Sequence, residues 1–125
     1  MNKKLKIDIG LALLRIVSSA FLLSHGIPKL QKLLNGDFQF ADPIGIGSTP
    51  SLFLTTIGEV ICPVLVIVGY KTRWASFPIV IVMAVAGFIV HGPDPFGRKE
   101  LALLYLTCFA AIILLGPGRY SIDKK

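Results

Sequence analysis

Residues Trp74–His91 read WASFPIVIVMAVAGFIVH, a run without a single Asp, Glu, Lys or Arg. A helix that crosses a hydrocarbon core of about 30 Å needs about 20 mainly apolar residues, within a range of about 17–25. The stretch therefore reads as a transmembrane helix. Three further windows share its character: Ile9–Ser24 (IGLALLRIVSSAFLLS), Ser51–Tyr70 (SLFLTTIGEVICPVLVIVGY) and Leu101–Gly116 (LALLYLTCFAAIILLG). A few flanking residues bring each into range, the first and last being the shortest. The spacing predicts helices over about 8–28, 51–70, 74–91 and 99–116, with a loop over 35–50. This is an all-α, integral membrane four-helix bundle of up-and-down type, one domain over 1–125. Composition agrees, because only 16% of the 125 residues are charged, against about 25% in soluble domains.

The N-terminal MNKKLK followed by an apolar run also resembles a secretory signal. Arg15 interrupts that run, and it continues into His25-Gly26-Ile27-Pro28-Lys29 without a small-x-small cleavage site. An uncleaved first helix is expected.

The net charge of +6 resolves along the chain. Four spans put both termini and the turn Lys71–Arg73 on one side, with Lys3, Lys4, Lys6, Lys71, Arg73, Arg119, Lys124 and Lys125 against Asp8 and Asp123. The other side holds Lys29, Lys32, Arg98 and Lys99, balanced by Asp37, Asp42, Asp94 and Glu100. The excess of bases places both termini in the cytoplasm. The surplus is thus an orientation signal, and no nucleic-acid partner is expected. Tyr70, Trp74 and Tyr120 fall at the same interface, where amphipathic rings are favoured.

Ionisable residues inside a membrane are costly and usually face the bundle interior. Arg15, Ser18, Leu22, His25 and Lys29 share a helical face by their spacing, as do Thr55, Glu59 and Cys62. Ala84, Gly87 and His91 do so in the third span, and Glu100, Leu103 and Thr107 in the fourth. Packed inward, these stripes predict a polar core open to the outer side. At about 1.5 Å of rise per residue, Arg15 and Glu59 both fall in the middle third of the bilayer, within reach of a salt bridge. His25, Lys29, His91 and Glu100 gather near the outer mouth. Arg15, His25, Lys29, Glu59, His91 and Glu100 are the candidate polar pocket, with Glu59 and Glu100 as candidate proton carriers. Two readings stay open: a structural ion pair with helix-end caps, Lys29 snorkelling outward, or a site for a headgroup, a proton or a quinone-like ring.

Pro63 removes a backbone donor and displaces the carbonyl of Glu59, so a kink and a freed carbonyl coincide with the acid of that span. The loop 35–50 carries Phe38, Phe40, Ile44 and Ile46, which either fold onto the bundle's outer end or dip into the headgroups. Two His and scattered carboxylates lack metal-ligand spacing, so no metal is expected. Cys62 and Cys108 read as small apolar packing.

Arg15, His25-Gly26-x-x-Lys29-Leu30, Gly58-Glu59, the turn Gly69–Arg73, His91, Glu100 and Gly116-Pro117-Gly118-x-x-Ser121-x-Asp123, in this order, resemble the DoxX family. The resemblance implies a small four-helix protein of the bacterial cytoplasmic (inner) membrane. It also implies kinship with the membrane subunit of an archaeal thiosulfate:quinone oxidoreductase, and redox-stress complexes with soluble partners. The expected function is that of an accessory or quinone-facing subunit of a sulfur, thiol or oxidative-stress redox complex, with no covalently bound cofactor. A small transporter or lipid- or metabolite-binding bundle, and a non-catalytic assembly scaffold, are the alternatives. Homo-oligomers through Ala84 and Gly87 fit the small-residue rule of membrane helices.

Overall fold

The computed structural model describes residues 2–38 and 45–123, and at Arg98 the backbone alone. Phe40, Asp42, Ile44, Lys124 and Lys125 lie outside the described residues. Four helices make up the fold: α1 (Lys3–Leu34), α2 (Ser48–Val68), α3 (Thr72–Val90) and α4 (Phe96–Leu115). Helices α1, α2 and α3 are long and apolar enough to cross a membrane. Helix α4 has 20 residues, but Arg98, Lys99 and Glu100 near its start leave a shorter apolar stretch, Leu101–Leu115.

Local chemistry sets the boundaries. Asn2 caps α1 by accepting from the Leu5 amide at 2.8 Å. The helix runs through Pro28 to Leu34, six residues past the expected end. Membrane helices tolerate such breaks when neighbouring groups re-satisfy the backbone. Pro28 has no amide to donate to the Ser24 carbonyl, and Lys29 Nζ lies 3.4 Å from the neighbouring His25 carbonyl. Helix α2 stops at Gly69, whose φ of 74° suits a residue without Cβ. The Gly69 and Tyr70 amides both donate to the Leu65 carbonyl.

Within α2, Ile57–Ile61 is a π-helical turn, closed by the Cys62 amide donating to Ile57 O. Pro63 explains it: its ring clashes with the carbonyl four residues back, and widening the helix by one residue relieves the contact. A second π turn, Ala86–Val90, ends α3, with the His91 amide donating to Ala86 O at 3.0 Å.

The helices pack in sequence around a ring, α1 on α2, α2 on α3, α3 on α4, and α4 back on α1. The core is apolar: Leu22, Cys62, Val66, Ala75, Ile79, Met83, Tyr105, Phe109 and Ile112, drawn from all four helices. Buried beside it are the polar side chains of Arg15, Ser19, Ser51, Thr56, Glu59, Thr72 and Ser76. On α1 the buried face is Arg15, Ser19, Leu22 and Gly26, rotated from the face expected, so Ser18 is half-buried and His25 is exposed. On α4 the core face is Tyr105, Phe109 and Ile112, while Glu100 and Thr107 are exposed. Apolar side chains such as Leu13, Phe21, Ile81, Phe88 and Leu114 cover the outer surface, as a bilayer requires.

Close glycine contacts set the helix spacing. A Cβ on Gly26 would lie 2.2 Å from the Glu59 carbonyl oxygen, so α1 and α2 touch backbone to backbone at the π turn. A Cβ on Gly58 would lie 2.7 Å from Val82 Cγ2, which brings α3 against the other side of the same turn. Gly87 packs against Leu103 of α4. That small residue serves the bundle's own interior.

Candidate functional site

Polar groups collect at opposite ends of this apolar core. The loop end carries the α1–α2 and α3–α4 connections, and the termini end carries both chain ends and the α2–α3 turn.

At the loop end, Lys29 Nζ lies 2.8 Å from Glu59 Oε1. The Glu59 side chain is only 6% exposed and Lys29 26%, so the pair is partly withdrawn from the surface. His25, one turn before Lys29, meets the Tyr105 ring edge-on at 6.0 Å between centroids. Tyr105 itself is buried. Helices α1, α2 and α4 thus contribute His25, Lys29, Glu59 and Tyr105 to one cluster, and the π turn sets how Glu59 is presented.

The remaining candidates lie elsewhere. His91 Nδ1 is 2.9 Å from Asp94 Oδ2, within the α3–α4 turn. Lys99 closes the same turn by donating to the Gly92 carbonyl at 2.9 Å. Glu100 is exposed. Neither His91 nor Glu100 is hydrogen-bonded to Lys29 or Glu59 among the described residues. No three His, Cys, Asp or Glu among those residues are grouped so as to hold a metal ion.

Arg15 does not pair with Glu59. It is 1% exposed and donates to the carbonyls of Val66, at 3.0 Å, Ile67 and Tyr120. The reason is side-chain direction, since Cα–Cβ bonds tilt toward a helix's N-terminus. In α1 that lean carries Arg15 toward the termini end and brings Lys29 down from the loop end. In antiparallel α2 it carries Glu59 up toward the loop end. Equal depth of the Cα atoms therefore does not bring Arg15 and Glu59 together.

Arg15 instead anchors the C-terminal segment. The Ile122 and Asp123 amides donate to Val68 and Gly69 carbonyls at 3.1 and 2.9 Å. The Asp123 carboxylate accepts from the Lys71 and Thr72 amides at 3.0 and 2.9 Å, capping α3. A Cβ on Gly69 would lie 2.2 Å from Ser121 Cβ, so that glycine is also where the tail closes on the bundle.

Tyr105 and Ser19 escape the sequence reading. The spacing of Tyr105, Phe109 and Ile112 was available in α4, but an apolar helix gives no contrast with which to choose its inner face. Ser19, fully buried, and Ser18 are adjacent and chemically identical, so the rotation of α1 decides between them.

The fold and site define a multi-pass membrane protein: an all-α bundle with an ion pair inside one end and a tail clamp at the other. The chain belongs to the DoxX family, whose profile matches residues 10–92. That match includes Arg15, His25–Leu30, Gly58-Glu59, Gly69–Arg73 and His91, while Glu100 and the tail lie beyond it. The chain is 31% identical over 122 residues to an uncharacterized protein of Haemophilus influenzae, covering 92% of this chain and 89% of that one. It is 31% identical over 124 residues to the Bacillus subtilis protein named "Putative oxidoreductase CatD", covering 98% and 90%. With an uncharacterized membrane protein of Mycobacterium tuberculosis it shares 29% identity over 137 residues, covering 90% and 78%. No solved structure matches the chain significantly.

Proposed function

We propose that this protein is a quinone-facing subunit of a redox complex in the bacterial cytoplasmic membrane, with both termini cytoplasmic and a soluble partner as electron donor. The observation that carries this reading is the Lys29–Glu59 pair, 2.8 Å long and set beside His25 and Tyr105 within an apolar bundle. Intramembrane ionisable residues mark function by default, and π turns recur at functional sites. The name of the Bacillus subtilis relative points toward redox chemistry.

The donor set fits a quinone headgroup: two N–H donors, one carboxyl and the side of an aromatic ring. Bound there, a quinone supplies two-electron, two-proton chemistry. Lys29, which holds Glu59, would offer its remaining N–H to a carbonyl oxygen of the bound ring. His25, exposed yet in edge contact with Tyr105, offers a second donor. Reduction of a bound quinone by two electrons from the partner would consume two protons, which Glu59 would pass on one after the other and recover from water through the partly exposed Lys29. The partner provides the electrons.

The test is quinone content after extraction in native-lipid nanodiscs. Wild-type protein is expected to carry quinone, and Glu59→Gln and Lys29→Met each to lose about tenfold in retention, the value of one charge-assisted hydrogen bond. Unchanged melting temperatures identify these as site effects. Wild-type protein without quinone, or variants that retain it equally, would reject the proposal.

A further inference from the structure

At the termini end a cavity of about 510 Å³ lies between the start of α3 and the segment after α4, lined by Lys71, Thr72, Arg73, Trp74, Pro117 and Asp123. Its size is within the usual range for small-ligand sites, about 300–1,000 Å³. The Asp123 carboxylate in the same lining accepts from the Lys71 and Thr72 amides and keeps its charge, so the cavity carries two cations against one anion. Arg73 Nε donates to the Ile113 carbonyl at 3.0 Å, which fixes the guanidinium while its two terminal nitrogens keep no partner among the described residues. Lys71 Nζ rests 5.7 Å from the Tyr70 ring centroid. The lining also includes Thr72, whose buried hydroxyl has no hydrogen-bond partner among the described residues.

Trp74 is 78% exposed beside these cations, and an indole in that position sits at the headgroup level of a bilayer. By sequence, this end of the molecule carries eight bases against two acids. Two cations and an interfacial indole around one cavity, against a single carboxylate, call for an anionic group tethered in the membrane surface.

We infer that this cavity binds the phosphate of an anionic phospholipid, with Arg73 and Lys71 as its charge partners and Trp74 packed along the glycerol region. The site is separate from the Lys29–Glu59 cluster and does not depend on the function proposed for it.

Native mass spectrometry in neutral detergent, titrating phosphatidylglycerol against phosphatidylcholine, tests the inference. One phosphatidylglycerol is expected to bind saturably, and phosphatidylcholine much more weakly. At about fivefold per basic contact, Lys71→Gln/Arg73→Gln is expected to weaken binding about twenty-fivefold. Lys71→Gln alone, which leaves the Arg73 bond to Ile113 intact, is expected to lose about fivefold. Lys3→Gln/Lys4→Gln removes the same charge outside the cavity and is expected to leave affinity within twofold, as is added inorganic phosphate. Equal weakening by both double variants, equal binding of the two lipids, or displacement by inorganic phosphate would overturn the assignment.

Discussion

Arg15 and Lys29 sit on the same helix and reach in the same direction, yet they do different work. Arg15 is sealed at 1% exposure and gathers carbonyls from α2 and the tail. Arg15→Ala is expected to destabilise the protein by about 1–3 kcal/mol, because it removes a donor from the partly buried Ile67 and Tyr120 carbonyls, while Val66 O keeps the Gly69 amide. Arg15→Lys should recover only part of this, since an ammonium lacks the planar fork that serves several acceptors at once. Thermal unfolding in detergent reads both, and an unchanged transition in Arg15→Ala would contradict the clamp. Spacing made these residues visible in the sequence as costly intramembrane charges. Their partners were not visible, because pairing depends on the lean of each side chain and on which carbonyls a distant tail supplies.

At the scale of the element, the π turn in α2 is the feature on which the loop-end cluster depends. Gly26 lets α1 touch that turn, so Gly26→Ala is expected to push the helices apart and loosen the Lys29–Glu59 pair. Gly10→Ala, with nothing within 4 Å of the added Cβ, is the matching control. Quinone retention and thermal stability should both fall in the first and hold in the second. At the tail, Asp123→Ala is expected to cost about 0.5–2 kcal/mol as a lost helix cap. Amide exchange at Lys71 and Thr72 checks it, and unchanged protection would count against the cap. The break at Pro63 was readable from proline chemistry. That the relief takes the form of a widened turn, with α1 and α3 packed closely on Gly26 and Gly58, no local pattern reveals.

For the whole molecule, hydropathy was enough to find the four helices, since a bilayer allows few other ways to satisfy a backbone. The inward faces were harder, because lipid and core are equally apolar, and Glu100 and Thr107 turned out on the exposed side of α4. The charge pattern leads to a global expectation of its own: reporters fused at either terminus should both report the cytoplasm. A reporter at either end that marks the opposite side would refute that topology. The two polar ends are separated by apolar packing around Leu22, Val66, Ile79 and Phe109. Variants at the tail clamp that remain folded should therefore leave quinone retention unchanged. The most direct measurement is photolabelling with a quinone bearing a photoreactive group, followed by peptide mapping of the modified residues. Labels on α1 around His25–Lys29 and on α4 around Tyr105, lost in Glu59→Gln, are the expected result. Labelling at the termini end, or none that depends on Glu59, would contradict a quinone site at the Lys29–Glu59 pair.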